Sequence, residues 1–254
     1  MDDSALKPIE TSLFGVRLFA AQPAGATQAI VEHARQHSGV ICVANVDMVT
    51  RAVSDSKLAR VMRQAFVVVT DGMPLVWVLR ARGLASAQRV YGPELMRALC
   101  AAAACEGMPI YLYGGTDVEL AALQRELRRV YPTLLVVGAE SPPMLPTEPP
   151  FDAAVTWRIN SSGARLVFVG LGCPKQEYWM GNHAGRIQAV TVGVGLAFAQ
   201  IAGLKRPAPT WMSRNGLEWI FRLGQEPARL WRRYLVGNSK FLWLLIVDVV
   251  RRAP

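Results

Sequence analysis

The sequence predicts an α/β fold, with a Rossmann-like, mainly parallel sheet and helices on both of its faces. Short apolar runs such as Gly39–Ala44 and Leu166–Val169 have the composition of strands buried on both sides. Longer helical stretches separate these runs, and turns rich in glycine or proline follow most of them. A chain of 254 residues with 52% hydrophobic content is long enough to bury a large core.

Strands and helices alternate along the chain. The predicted strands cover residues 15–20, 39–44, 66–69, 111–113, 134–137, 166–169 and 189–193. The predicted helices cover residues 23–37, 55–64, 75–82, an alanine-rich stretch ending at Glu106, 117–130 and 151–162. Residues 141–150 contain five prolines and predict a loop inside the domain, because the alternation resumes after them.

The positive charge is concentrated at the C-terminal end. The net charge is +9, of which residues 205–254 contribute +7. Such a basic segment indicates an anionic partner, which is a membrane surface, nucleic acid or a phosphorylated substrate. Four scattered cysteines without a CxxC pair favour free thiols in a reducing cytosol, and the polar, acidic N-terminus does not have the pattern of a signal peptide.

Polar residues follow two predicted strands at the edge where α/β sheets bind ligands. Asn45 follows the strand 39–44, and Asp71 follows the strand 66–69. Each side chain has two interpretations, as a helix cap or as part of a binding site, and for Asp71 the second role is that of a general base. Gly114 and Gly115 form a third strand–helix junction, of a kind that suits phosphate or ribose, with an ordinary connecting turn as the alternative.

The segment Leu166–Met180 contains the most informative junction. Gly170 and Gly172 allow a tight turn, and Lys175 and Gln176 follow at the start of a helix. A helix N-terminus offers free N–H groups and a partial positive charge, so this turn predicts an anion site. An ordinary connection between strand and helix remains the alternative.

Residues 204–254 form a predicted basic and aromatic C-terminal appendage to a Rossmann-like domain at residues 1–203. Arginines alternate with tryptophans and leucines in this segment, and the apolar run 241–250 is too short to span a bilayer. The pattern favours an element that lies at a membrane interface. A helical hairpin packed on the domain and a nucleic-acid patch are the alternatives.

Several familiar motifs do not occur. The sequence has no GxxxxGK[ST], no GxGxxG in its first strand–helix unit and no Asp-x-Asp pair. His33 and His37 are four residues apart on a predicted surface helix, but no third metal ligand accompanies them. No metal site and no cofactor are therefore expected.

The sequence resembles the WecG/TagA/CpsF family of bacterial glycosyltransferases from about residue 15 to residue 242. The residues that carry the resemblance are Asn45, TDGMP (70–74), YGPEL (91–95), Gly114-Gly115, VGLGCPKQE (169–177), GLEW (216–219) and EPARLWRRYL (226–235). The resemblance implies a GT-E type fold with a membrane-engaging appendage. It also implies inverting transfer of a sugar from a UDP-sugar to a polyprenyl-diphosphate-linked sugar.

The resemblance also implies a location and partners. It places the enzyme peripherally at the cytoplasmic face of the bacterial inner membrane, in cell-surface polysaccharide synthesis. Its partners are then the donor, the lipid-linked acceptor, the membrane surface and other copies of the chain, with no nucleic acid. The rival interpretation from another class is a non-catalytic nucleotide- or nucleic-acid-binding protein that uses the basic segment for phosphate contacts.

Roles carry over from the resemblance at matching positions. Asp71 corresponds to the proposed general base, and the tail arginines correspond to groups that stabilise the departing UDP, here Arg222, Arg229 and Arg232. The implied substrate-binding residues are Asn45, Gly92, Glu94, Gly114, Gly115, Gly170, Gly172, Lys175 and Gln176. Two departures, Val43-Ala44 near Asn45 and Ala199 in place of an acid, remove polar groups and favour a donor such as UDP-glucose over an N-acetylmannosamine type.

Overall fold

The computed structural model describes residues 10–252, without the side chains of Arg229, Arg233, Arg251 and Arg252. Its strands are β1 (Glu10–Leu13), β2 (Val16–Phe19), β3 (Gly39–Ala44), β4 (Val67–Thr70), β5 (Ile110–Gly114), β6 (Val136–Glu140), β7 (Leu166–Gly170) and β8 (Val190–Gly193). Its helices are α1 (Pro23–Gln36), α2 (Val46–Ala52), α3 (Ser56–Gln64), α4 (Met73–Ala81), α5 (Gly92–Glu106), α6 (Asp117–Val130), α7 (Ala153–Ser161), α8 (Lys175–His183), α9 (Ala197–Ile201), α10 (Thr210–Arg214), α11 (Glu218–Gln225) and α12 (Pro227–Arg252).

All eight strands form one sheet, in the order β1-β2-β4-β3-β8-β7-β5-β6. Every neighbouring pair is parallel except β1 and β2, which form an antiparallel hairpin at one edge. The predicted mainly parallel sheet is therefore confirmed. After β4 the chain crosses to the other half of the sheet, so the carboxyl ends of β3, β4, β7 and β8 meet around its middle.

Strand β3 shows why the apolar runs are continuous. Ile41 and Val43 belong to the core on one face of the sheet, and Cys42 and Ala44 belong to the core on the other. Because successive side chains of a strand point to opposite faces, a strand covered on both faces needs apolar residues throughout. The prediction that helices cover both faces is confirmed.

Strand β6 differs from its prediction. It runs from Val136 to Glu140, whereas the apolar pattern predicted residues 134–137. It is one of the two edge strands, and its residues are half-buried or exposed, so burial does not impose a strong pattern on them. The proline-rich segment 141–150 is a loop, as predicted.

The C-terminal helices pack on the sheet domain through part of their surface. Leu230, Phe241 and Leu244 of α12 are buried, and α12 contacts α2. This packing agrees in part with the hairpin alternative, while other residues of α12 stay exposed. Within residues 10–252, no helix is both long and apolar enough to cross a bilayer. The boundary between residues 203 and 204 stays a prediction.

Candidate active site

A polar cleft of about 270 Å³ lies over the carboxyl ends of the central strands. The loops that follow β3, β4, β7 and β8 form most of its walls. Predicted site residues that line it are Asn45, Asp71, Gly92, Gly170, Gly172, Gln176 and Arg222. The structure therefore brings together residues that are up to 177 positions apart in the sequence.

The turn between β7 and α8 needs glycine for two different reasons. Gly172 has a φ of +77°, which favours glycine. A Cβ on Gly170 would lie 2.6 Å from the ring of Phe198, so a side chain at this position would collide with the core. Gly114 packs equally closely, because a Cβ there would lie 2.7 Å from the carbonyl carbon of Gly170. Gly114 and Gly115 thus support the turn, and neither lines the polar cleft.

Gln176 is buried at the N-terminal end of α8 and is held on both sides. Its Oε1 accepts a hydrogen bond from the Gly172 N–H at 3.2 Å, and its Nε2 donates to Glu177 Oε1 at 2.8 Å. These bonds fix the turn against the helix. Gln176 therefore shapes this wall of the cleft.

Asn45 combines the two roles that the sequence left open. Its Oδ1 accepts a hydrogen bond from the Met48 N–H at 3.1 Å, which caps α2. The residue also lines the polar cleft. The cap interpretation is confirmed and does not remove Asn45 from the cleft.

Asp71 does not cap the helix that follows it. The N-cap of α4 is Gly72, and α4 has no side-chain cap. The carboxylate instead accepts hydrogen bonds from Arg89, whose Nη2 lies 2.9 Å from Asp71 Oδ1. Arg89 Nη2 also donates to Glu218 Oε2 at 2.6 Å, so one guanidinium bridges two carboxylates.

Burial and charge together set the protonation of Asp71. Burial is the largest influence and raises the pKa of its carboxyl, and the negative charge of Glu218 raises it further. The cations Arg89 and Arg222 oppose this change. The net effect is a raised pKa, which makes Asp71 a stronger base than an exposed aspartate.

Arg89 and Glu218 were not predicted as site residues. Arg89 comes just before the YGPEL block, and Glu218 belongs to the GLEW block. The Arg89 guanidinium also lies over the Tyr91 ring, 4.3 Å from its centroid, and the Tyr91 hydroxyl donates to Gln200 Oε1 at 2.7 Å. This chain of contacts links the bridge to α9 at the far wall of the cleft.

Two predicted substrate-binding side chains lie elsewhere. Lys175 Nζ donates to the Leu145 carbonyl at 2.6 Å and therefore holds the proline-rich loop, and Lys175 does not line the polar cleft. Glu94 is exposed and lines a groove between α1 and α5. The Lys175 side chain points toward the loop, and its role as the cation of the anion site stays a prediction.

The three predicted arginines have different positions. Arg222 lines the polar cleft and lies close enough to influence the pKa of Asp71. Arg232 is exposed, with its guanidinium 5.3 Å from the centroid of the Trp231 ring, and it does not line the cleft. The Arg229 side chain lies outside the described residues. Among the described side chains of these three residues, only Arg222 reaches the cleft.

His33 of α1 and His37, the C-cap residue of α1, contact aromatic rings. His33 stacks on Phe66 with a centroid separation of 3.7 Å, and His37 stacks on His33 at 5.1 Å. Over residues 10–252, no group of three or more histidine, cysteine, aspartate or glutamate side chains has the arrangement of a metal site.

Comparison with models of protein families matches residues 11–254 to the glycosyl transferase WecG/TagA/CpsF family. The match includes the strand-end loops that form the polar cleft. It also includes α11, which supplies Glu218 and Arg222, and α12, which packs against α11.

Proposed function

The chain belongs to the WecG/TagA/CpsF family of glycosyltransferases of cell-surface polysaccharide synthesis, and we propose that it transfers a sugar from a UDP-sugar to a polyprenyl-diphosphate-linked sugar with inversion of the anomeric carbon. The observation that carries this proposal is the position of Asp71. Its carboxylate has a raised pKa and lines the polar cleft beside Arg222. A base and a cation thus face the same space.

The reaction is a single displacement. The hydroxyl oxygen of the acceptor sugar forms a bond to the anomeric carbon while the bond from that carbon to the UDP oxygen breaks. The electron pair of the broken bond remains on the β-phosphate of UDP, and Asp71 takes the hydroxyl proton. Attack from the face opposite UDP inverts the configuration.

The departing UDP requires positive charge and hydrogen-bond donors. The cleft offers the Arg222 guanidinium and the glycine turn at Gly170–Gly172, which adjoins the N-terminal end of α8. Guanidinium groups stabilise phosphate oxygens through paired N–H donors. Arginine is thus proposed to stabilise the charge on UDP, with Arg229 and Arg232 of α12 approaching Arg222 when substrates bind.

The donor sugar is proposed to lack an N-acetyl group, as in UDP-glucose. Val43 and Ala199 both line the polar cleft, and each places an apolar surface there. An amide group against such a surface would lose hydrogen bonds to water without gaining new ones. A panel of UDP-sugars tested with one lipid-linked acceptor checks this assignment.

Membrane association is proposed to occur through α12. Its exposed apolar side chains include Leu235, Trp243, Ile246 and Val249, and residues 205–254 supply most of the net positive charge. Apolar side chains enter the interfacial region while cations attract anionic lipids. This arrangement suits a peripheral enzyme at the cytoplasmic face of the inner membrane, where a lipid-linked acceptor is held.

Asp71→Asn tests the base assignment, because asparagine keeps the size of the side chain and one acceptor oxygen but cannot take up the proton. We expect transfer to fall by roughly 10²–10⁴-fold. The matched control is Asp117→Asn, at an exposed position in the first turn of α6. Wild-type transfer by Asp71→Asn would show that Asp71 is not the base.

A further inference from the structure

A second cavity lies beside the polar cleft and differs from it in chemistry. It measures about 520 Å³, and its walls come mainly from α4 and α12. We call it the apolar cavity, and its main wall residues are Met73, Trp77, Val78, Phe241, Leu242 and Leu245. Its volume is within the roughly 300–1,000 Å³ range of small-molecule sites.

The two cavities share one wall. Asn45, Asp71, Glu218 and Arg222 line both the polar cleft and the apolar cavity. The inner end of the apolar cavity is therefore polar and contains the proposed base, while the rest of its surface is mainly apolar. A ligand that matches this order has a polar group at one end and a hydrocarbon body behind it.

The outer wall of the apolar cavity is fixed by contacts that bind α12 to the domain. Arg82 Nη2 lies 2.6 Å from Asp248 Oδ2, and both side chains are largely buried. The Phe241 ring packs against Phe14 in an edge arrangement, with the centroids 5.9 Å apart. The wall is thus held in place at two points, so the cavity does not depend on a ligand to form.

The apolar cavity opens toward the surface proposed to contact the membrane. Leu242 lines the cavity and is also 60% exposed. Along the same helix, Ile246 and Val249 continue the exposed apolar surface. A hydrocarbon chain can therefore pass from the membrane to the wall of the cavity while remaining in contact with apolar side chains.

We infer that the apolar cavity binds the isoprene units of the acceptor that are nearest to its diphosphate, so that the acceptor sugar reaches Asp71 from the side opposite the UDP-sugar. This inference rests on the proposed function. A cavity of about 520 Å³ takes only the first part of a long polyprenyl chain. The remainder extends past Leu242 into the bilayer.

Chain length measured without a membrane tests the inference. The acceptors share one sugar diphosphate and carry one, two or three isoprene units, all used below their aggregation concentration. Each buried CH₂ group contributes roughly fourfold to affinity. We therefore expect kcat/KM for wild-type enzyme to rise at least tenfold from one unit to three.

Ala81→Phe narrows the apolar cavity from its exposed rim, because Ala81 ends α4 and lines the cavity. We expect this variant to lose most of the tenfold rise with chain length. The matched control is Ala121→Phe, at an exposed helical alanine of α6 that lines neither cavity. It should keep the wild-type dependence.

A binding assay separates failure of the inference from failure of the proposed function. Trp77 and Trp219 line the apolar cavity, so tryptophan fluorescence reports binding of farnesyl diphosphate and, for comparison, inorganic diphosphate. Transfer that is equally efficient for all chain lengths would overturn the inference and leave the proposed function in place. A different result would contradict the proposed function but support a lipid site in the apolar cavity. In that case the enzyme uses no acceptor, yet farnesyl diphosphate binds at least tenfold more tightly than inorganic diphosphate. Ala81→Phe then removes this difference in affinity. Equal binding of the two diphosphates would overturn the lipid site.

Discussion

Arg89 and Asp71 form an ion pair in which Nη2 lies 2.9 Å from Oδ1, so the proposed base is already matched with a cation. Glu218 shares that cation at 2.6 Å. The two carboxylates compete for one guanidinium at the wall between the polar cleft and the apolar cavity. Removing the charge of Arg89 or of Glu218 must therefore change the pKa of Asp71. The two changes have opposite signs, because Arg89 lowers this pKa and Glu218 raises it.

Removal of the Arg89 charge should move the acidic limb of the pH–rate profile to higher pH. The positive charge of Arg89 lowers the pKa of Asp71, so in Arg89→Gln that pKa rises further above its ordinary value. Because the base must be deprotonated, kcat/KM in Arg89→Gln should fall below the wild-type value on the acidic side of the profile and recover as the pH increases. The control is Arg125→Gln, at an exposed position of α6. An unchanged acidic limb in Arg89→Gln would contradict the prediction.

Removal of the Glu218 charge should have the opposite effect. The negative charge of Glu218 raises the pKa of Asp71, so Glu218→Gln lowers it and moves the acidic limb to lower pH. Glutamine retains an oxygen that accepts from Arg89. Glu126→Gln, in a surface ion pair with Arg129 on α6, is the matched control. A shift of the limb to higher pH in Glu218→Gln would rule out this electrostatic account.

The exposed apolar face of α12 should control binding to vesicles. Ile246 and Val249 are each about two-thirds exposed, so glutamates at both positions add charge without entering the core. We expect flotation with anionic phospholipid vesicles to fall at least tenfold, because apolar insertion is lost and the new charges repel the lipids. Val118→Glu, at an exposed apolar position of α6, should float like the wild type. Strong, salt-sensitive binding of the wild type to oligonucleotides without vesicle binding would favour the nucleic-acid alternative instead.

Gly170→Ala should destabilise the protein and disturb the cleft. The new Cβ would lie 2.6 Å from the ring of Phe198, which is almost fully buried. Overpacking of this kind costs about 1–3 kcal/mol in the free energy of unfolding, and urea denaturation measures it. Gly25→Ala serves as the control, because no atom lies within 4 Å of the added Cβ. Equal unfolding midpoints for Gly170→Ala and wild type would show that the turn accommodates the added methyl group without loss of stability.

The apolar runs predicted most of the fold because a strand that is covered on both faces accepts few polar residues. β3 has the predicted bounds, Gly39–Ala44, since both cores require every one of its side chains. β1 was missed because Glu10–Leu13 is short, mainly polar and paired at an edge of the sheet. Local pattern thus predicts buried strands well and edge strands poorly.

The sequence predicted those residues of the candidate site that directly follow the end of a parallel strand. Asp71 and Asn45 follow parallel strands, and that location alone places them at one edge of the sheet. The contact between Arg89 and Glu218 joins residues 129 positions apart, and no local pattern encodes it. The direction of the Lys175 side chain depends on the loop carbonyl at Leu145, which lies 30 positions earlier.

His183 should make the stability of the fold depend on pH. It is fully buried, its Nε2 accepts a hydrogen bond from the Asp152 N–H at 3.0 Å, and its Nδ1 lies 2.7 Å from the Trp179 carbonyl. The neutral ring with a proton on Nδ1 satisfies both contacts, and burial lowers the pKa of the imidazole below 6.5. The stability that this neutral form contributes is complete above about pH 6.5, the value for an unfolded chain, and is lost as the pH falls toward the lower folded value.

His183→Gln should therefore be less stable than the wild type at pH 8, by roughly 1–3 kcal/mol for the disrupted buried hydrogen bonds. Its unfolding free energy should also change less than that of the wild type between pH 8 and pH 5.5, because the group that takes up a proton on unfolding is gone. Urea denaturation at both pH values measures the two effects. His37→Gln, which replaces an exposed histidine, is the control for loss of an imidazole outside the core and should unfold like the wild type at pH 8. If His183→Gln lost as much stability as the wild type between pH 8 and pH 5.5, groups other than His183 would cause the acid sensitivity.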